Sequence, residues 1–281
     1  MATKPKKTAS YDLKAADRRR DLFVRIGLTA IVVIIAVVLV GYIVLNGKSK
    51  PASGEAKAVR VASSNLITKD DKQPKVVLGL YEDFLCPVCR GFEASFGPTI
   101  KQLIDSGAVA ADYYMVAILD SPATKNYSSR ASAAAYCVAD EDKTPDKEVF
   151  SRFHAALYAQ QPEETGTSFP DNKALIETAR QAGAVGGVPD CINGGRYLPL
   201  AEGLAGATKV NGTPTVRING EDFPISGPNG PVKPDDLVAK VKAIVGDVPG
   251  LKAAPVGTVP PPFPSAPEAP ATTAPATPTT R

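Results

Sequence analysis

Residues 81–93, YEDFLCPVCRGFE, decide how the rest of the chain is read. The stretch continues a short β-branched run, KVVLGLY (75–81), of the kind expected for a strand buried on both faces. Beyond it Phe92, Phe96, Ile100, Leu103 and Ile104 recur at helical spacing. Cys86 and Cys89 therefore stand one turn apart at a strand-to-helix junction, with Cys86 nearest the helix N-terminus. A C-x-x-C pair serves redox exchange, metal ligation or a structural bridge. The surrounding chain has to discriminate among these.

Working outward, AVAADYYMVAILD (108–120) reads as a second strand, ending at Asp120-Ser121-Pro122. A helical region follows. Its signals are the alanine-rich SSRASAAAYCVA (128–139), then Phe150, Phe153 and Leu157, then Leu175, Ile176 and Ala179. Strand character returns in PTVRI (214–218) and EDFPI (221–225), and the Asn219-Gly220 between them is a strong hairpin signal. A last helix opens around Pro234, with Asp235 and Asp236 in its first turn and Leu237, Val238, Val241, Ile244 and Val245 as its apolar stripe. The pattern is α/β, with two strand-bearing halves flanking a helical insert.

Disulfide exchange needs one accessible thiolate and a resolving thiol within reach. The free N–H groups and positive dipole end of a helix favour Cys86 as the thiolate, while Cys89, one turn in, is more shielded. Pro87 suits the first turn, where its missing N–H costs little. This CPVC junction, the helical insert and the later VNGTPTVRING together resemble the thioredoxin superfamily, specifically its DsbA-like branch. The resemblance spans residues 73–247 and implies a thioredoxin fold with an inserted helical domain. It implies a protein disulfide oxidoreductase that needs no cofactor beyond a redox-active disulfide, with Cys86 attacked by substrate and Cys89 resolving the mixed disulfide. It also implies that Thr213 and a cis Pro214 face the cysteines and help bind substrate chain.

One departure concerns the dipeptide between the cysteines. The best-known enterobacterial member has histidine where this chain has Val88, whose side chain offers a thiolate neither charge nor hydrogen bond. The expectation is an oxidant of moderated strength. Glu82 and Asp83 are candidates for relaying protons to the buried thiol, against the plainer reading of acidic residues at a strand end. Cys137 and Cys191 both lie in the insert. An even cysteine count in an exported chain argues for pairing, with two separate buried thiols as the alternative. Similar actinobacterial DsbA-like proteins imply a structural disulfide here. A zinc site using all four cysteines is disfavoured, because only Cys86 and Cys89 form a short-spaced ligand pair, and no metal is expected. His154, the sole histidine, falls on the helix of Phe150, Phe153 and Leu157, where a structural or partly exposed place is expected rather than a catalytic one.

Both ends of the chain differ from the middle. Residues 26–45, IGLTAIVVIIAVVLVGYIVL, are charge-free and long enough to cross a hydrocarbon core of about 30 Å. The basic excess before them, including Arg18, Arg19, Arg20 and Arg25, orients the N-terminus to the cytoplasm and the cysteines outside. A cleaved signal peptide ending at AKA (56–58) is the competing reading, but the apolar run exceeds the usual core of about 7 to 15 residues and the triplet lies well beyond it. The chain thus divides into a cytoplasmic basic segment (1–25), a transmembrane anchor (26–45), a linker (46–72), the thioredoxin-type domain (73–247, its insert at about 124–204) and a Pro/Ala/Thr-rich tail (248–281) expected to be extended.

A formal charge of +3, from 32 basic and 29 acidic residues, gives no case for a nucleic-acid partner. The expected partners are reduced exported proteins and, as the resemblance implies, a membrane quinone-linked reoxidase, DsbB-like or related to vitamin K epoxide reductase. A reductase or isomerase of the same fold is the alternative within enzymes. A non-catalytic module that holds exported chains is the alternative outside them.

Overall fold

The computed structural model describes residues 57–144, 146–227 and 230–252. The expected anchor at 26–45, the basic segment before it and the greater part of the tail lie outside these residues. Among the described residues no helix is long and apolar enough to cross a membrane.

Five strands make one mixed sheet, ordered β1 (Val59–Val61), β3 (Ala110–Met115), β2 (Val77–Glu82), β4 (Thr215–Ile218) and β5 (Glu221–Phe223). β2 is central, parallel to β3 and antiparallel to β4. Its Leu78 and Leu80 are fully buried and Tyr81 and Glu82 nearly so, because helices cover both faces and the strand has no wet side to alternate toward. The chain passes from β2 directly into α1 (Pro87–Asp105), with Pro87 in its first turn and Cys86 as its N-cap. Phe92, Phe96, Ile100, Leu103 and Ile104 are buried, and Phe92 stacks on Phe96 with centroids 4.9 Å apart.

Between β3 and β4 come α2 (Tyr127–Glu141), α3 (Glu148–Ala159), α4 (Asn172–Gln181), α5 (Val188–Asn193) and α6 (Leu198–Thr208). α2 is the hub, packed against all four of the others. Its small side chains make this possible: Ser128, Ala131, Ser132, Ala134 and Ala135 are wholly buried, so neighbouring backbones approach closely. Cys137 of α2 is joined to Cys191 of α5 by a disulfide, with Cα atoms 5.8 Å apart. After the β4–β5 hairpin, whose Asn219 and Gly220 both take positive φ (53° and 88°) as a two-residue turn requires, a small ribbon pairs β6 (Ser226–Gly227) with β7 (Gly230–Pro231). α7 (Pro234–Val245) closes the fold against α1, its start fixed by the Asp236 carboxylate accepting from Lys233 N at 2.8 Å.

Three sequence boundaries are corrected. Residues 59–61 are not linker: Val59 and Val61 turn inward to the core, and Arg60 forms a two-pronged ion pair with Asp112 of β3, both contacts 2.7 Å. Three residues are too few to show alternation against a polar background. β3 stops at Met115 rather than near 120, because the backbone N–H groups of Ile118 and Leu119 turn to the Asp83 carboxylate. The folded part extends beyond residue 247 to Leu251, 2% exposed, beside which Gln102 donates to the Gly250 carbonyl.

The Cys137–Cys191 bond closes a loop of sequence separation 54. Replacing both cysteines with alanine is expected to lower the unfolding free energy by about 2–4 kcal/mol in urea denaturation, while the Cys86–Cys89 pair continues to cycle.

Candidate redox site at the head of the first helix

The two thiols differ in surroundings although they share a helix. Cys86 retains 7% exposure and Cys89 none. Cys86 Sγ lies 3.5 Å from the Thr213 carbonyl oxygen, across a cis Thr213–Pro214 peptide that brings the start of β4 over the helix head. The hydrogen bond from the Cys89 thiol is the largest cause drawing the Cys86 pKa down to about 6. Burial opposes it; the Thr213 side chain and the backbone N–H groups of Cys89 and Val88 add to it. Burial, above all, pushes Cys89 far above the usual thiol range. One sulfur is therefore a stabilised thiolate and the other a proton-holding thiol.

Val88 is 60% exposed and lies beside Cys86 as an apolar rim. Its side chain supplies nothing polar, yet its backbone N–H does, so the thiolate depends on the helix head more than on side-chain identity there. Pro87 sets the first turn that aims these N–H groups.

The two acids before the motif have different fates. The Asp83 carboxylate accepts from Leu85 N (2.8 Å), Ile118 N (2.8 Å), Leu119 N (2.9 Å) and Ser128 Oγ (2.6 Å). Asp83 thus anchors the turn before Cys86, and burial, opposed by these four hydrogen bonds, raises its pKa. Glu82 faces the other way, into a buried group with Glu93 and His154, and its Oε2 lies 3.1 Å from His154 Nε2. Burial raises both glutamates to about 8 and lowers His154. His154, expected to be structural or partly exposed, is buried, its ring held among Phe84, Tyr113, Phe150 and Tyr158.

Sequence reasoning missed Glu93 and Gln161. Glu93 follows Cys89 by one helical turn, so the i, i+4 spacing could have placed it beside the thiol. Gln161, just past α3, donates from Nε2 to the carbonyls of Phe84 (3.1 Å) and Cys86 (3.0 Å), which pins the turn leading into the motif. No local pattern marks it. Cys137 and Cys191 are bonded to each other in the insert and take no part in the thiol pair.

A family model described as thioredoxin matches residues 70–243. The solved structure of reduced DsbA from Mycobacterium tuberculosis is 56% identical, with a TM-score of 0.64, covering 69% of this chain and 95% of that one. This chain belongs to the thioredoxin superfamily, in its DsbA-like branch. The DsbA-like chain is also similar to reduced DsbG of Mycobacterium tuberculosis, a disulfide bond oxidoreductase (57% identity, TM-score 0.65, 71% and 92% covered). MdbA of Corynebacterium matruchotii, 22% identical with a TM-score of 0.50 over 60% of this chain and 84% of its own, shares the fold. Among curated proteins, serine/threonine-protein kinase PknE of Mycobacterium tuberculosis is 30% identical over 173 residues, 58% of this chain. The chain spans only 30% of that kinase's length. The DsbA-like chain is thus a thiol-disulfide oxidoreductase that works through a redox-active cysteine pair and not through a bound cofactor.

The depressed Cys86 pKa stabilises the reduced fold fully above the ordinary thiol value of 9.0, and that stabilisation is lost as pH falls through about 6. Denaturation of the reduced and oxidised forms side by side is expected to show the reduced form losing ground over this window. The thiolate ultraviolet absorbance of reduced protein is expected to titrate with a midpoint near 6, shifted upward in Thr213→Ala.

Proposed function

We propose that this oxidoreductase is a membrane-anchored, extracytoplasmic oxidase that donates the Cys86–Cys89 disulfide to exported proteins. The observation that carries the direction is the Cys86 thiolate held by the Cys89 thiol and Thr213 at the helix head. A stabilised leaving thiolate makes the disulfide a stronger oxidant. The Cys137–Cys191 bond supports an oxidising compartment. The apolar run 26–45 with its basic N-terminal flank supports a single-pass anchor with the cysteines outside.

In the forward reaction a substrate thiolate attacks Cys86 Sγ. The Cys86–Cys89 bond breaks, Cys89 leaves and takes a proton, and the substrate is joined to Cys86. A second substrate thiolate then attacks the substrate sulfur of this mixed disulfide and expels Cys86 as its thiolate. Two electrons have passed to the enzyme and the product leaves oxidised. Electron balance thus revises the resolving role expected for Cys89: its attack on Cys86 returns the substrate reduced, so in the forward direction Cys89 is the leaving group and afterwards the escape from stalled mixed disulfides.

The exposed Val88 rim and the Thr213–Pro214 turn are the contacts for substrate chain. A shallow groove of about 580 Å³ formed by Ile118, Ala205, Gly206, Lys209, Val210 and Asn211 ends two residues before that turn in sequence and is a candidate extension of the surface. Reoxidation of the dithiol falls to a quinone-linked membrane partner, of DsbB-like or vitamin K epoxide reductase-like type.

Equilibration against glutathione is expected to give a potential well above thioredoxin's, about −270 mV. A value at or below it makes the enzyme a reductase. Cys89→Ser is expected to trap one mixed disulfide at Cys86 when mixed with oxidised glutathione, and Cys86→Ser to trap none; mass spectrometry reads both.

A further inference from the structure

Glu82 ends β2, Glu93 lies on α1 and His154 on α3, so three elements distant in sequence bring two carboxylates and an imidazole together. One donor atom from each lies within 4.8 Å of the other two. Glu82 is 2% exposed and His154 4%; Glu93 is half-buried as a residue, but its Oε1 is buried. Neither the Oε1 of Glu82 nor that of Glu93 accepts from any other donor; the two carboxyl groups hydrogen-bond each other, which takes one shared proton. The shared proton cancels only one of the two carboxylate charges, and a divalent cation in its place would cancel both. Among the described residues no lysine or arginine pairs with either one: Lys101 and Arg152, on the wall of the adjoining cavity, are engaged with Asp105 and Glu148.

We propose that Glu82, Glu93 and His154 form a binding site for one divalent transition-metal ion of zinc's class. Oxygen and imidazole donors suit such an ion, whose bonds run about 2.0–2.2 Å and whose neighbouring ligand atoms sit roughly 3.4 Å apart in a tetrahedron. The 3.1 Å between Glu82 Oε2 and His154 Nε2 is close to that spacing. The aromatic rings around His154 fix its plane. Glu93 and His154 also line a cavity of about 570 Å³, together with Tyr113, which provides an entry path and room for water at the fourth position. The site uses none of the four cysteines and does not depend on the direction of the redox reaction.

The test uses the full-length, tag-free chain with Cys86–Cys89 oxidised, so that no thiol can hold metal. Calorimetric titration with zinc chloride is expected to show one ion per chain, weakened at least tenfold by Glu93→Gln and by His154→Gln. Glu148→Gln, on the same cavity wall, is expected to leave binding unchanged. Cobalt(II) added to the wild-type chain is expected to give d–d absorption of a nitrogen and oxygen site without thiolate charge transfer, a readout that needs no variant to fold. If the oxidised wild type binds neither ion saturably, protons alone neutralise the carboxylates and the proposal fails. Binding undiminished in both variants, or a sulfur signature in the cobalt spectrum, overturns it equally.

Discussion

The Asp83 carboxylate is the interaction on which the site depends. Its four hydrogen bonds reach the turn before Cys86, the loop after β3 and the first turn of α2. A single buried charge thus ties the sheet, the catalytic turn and the helical insert at one point. Its four donors oppose the desolvation of the carboxylate, although burial still raises its pKa; removal of the carboxylate would strand those donors in the interior. Tyr158 and Gln161 reinforce the same turn from the insert side through the carbonyls of Asp83, Phe84 and Cys86. The insert is therefore part of the scaffold that aims Cys86.

Once the turn is fixed, the asymmetry between the two thiols follows. Cys86 sits where neutral donors converge; at Cys89 burial outweighs the one backbone hydrogen bond, from Asp83, that opposes it. No charged side chain lowers the Cys86 pKa: the helix head, a neighbouring thiol and Thr213 do so. That is why a valine between the cysteines is compatible with a stabilised thiolate.

Much of the site was legible because its signals are local. The CPVC pair, the strand before it and the apolar stripe after it occupy one stretch, and Thr213-Pro214 sits in a second recognisable one. Asp83 and Glu82 are adjacent in sequence, where nothing local distinguishes them. They diverge because successive residues at a strand end point to opposite sides, one toward backbone donors and the other toward His154. β1 escaped notice because three residues in a polar context carry no period, and Leu251 because a lone apolar residue after a helix gives no pattern.

The sequence by itself determined the α/β class, the thiol pair at a helix head and the presence of an insert, since these depend on periodicity, turn chemistry and residue type within short windows. Only the tertiary structure decided which acid is anchored, that Gln161 holds the catalytic turn, that Cys137 meets Cys191, and that Glu82, Glu93 and His154 share one buried volume. Each of these is a contact between elements far apart in the chain, set by how the insert packs on the sheet. No local preference encodes such a contact; burial of the shared core does.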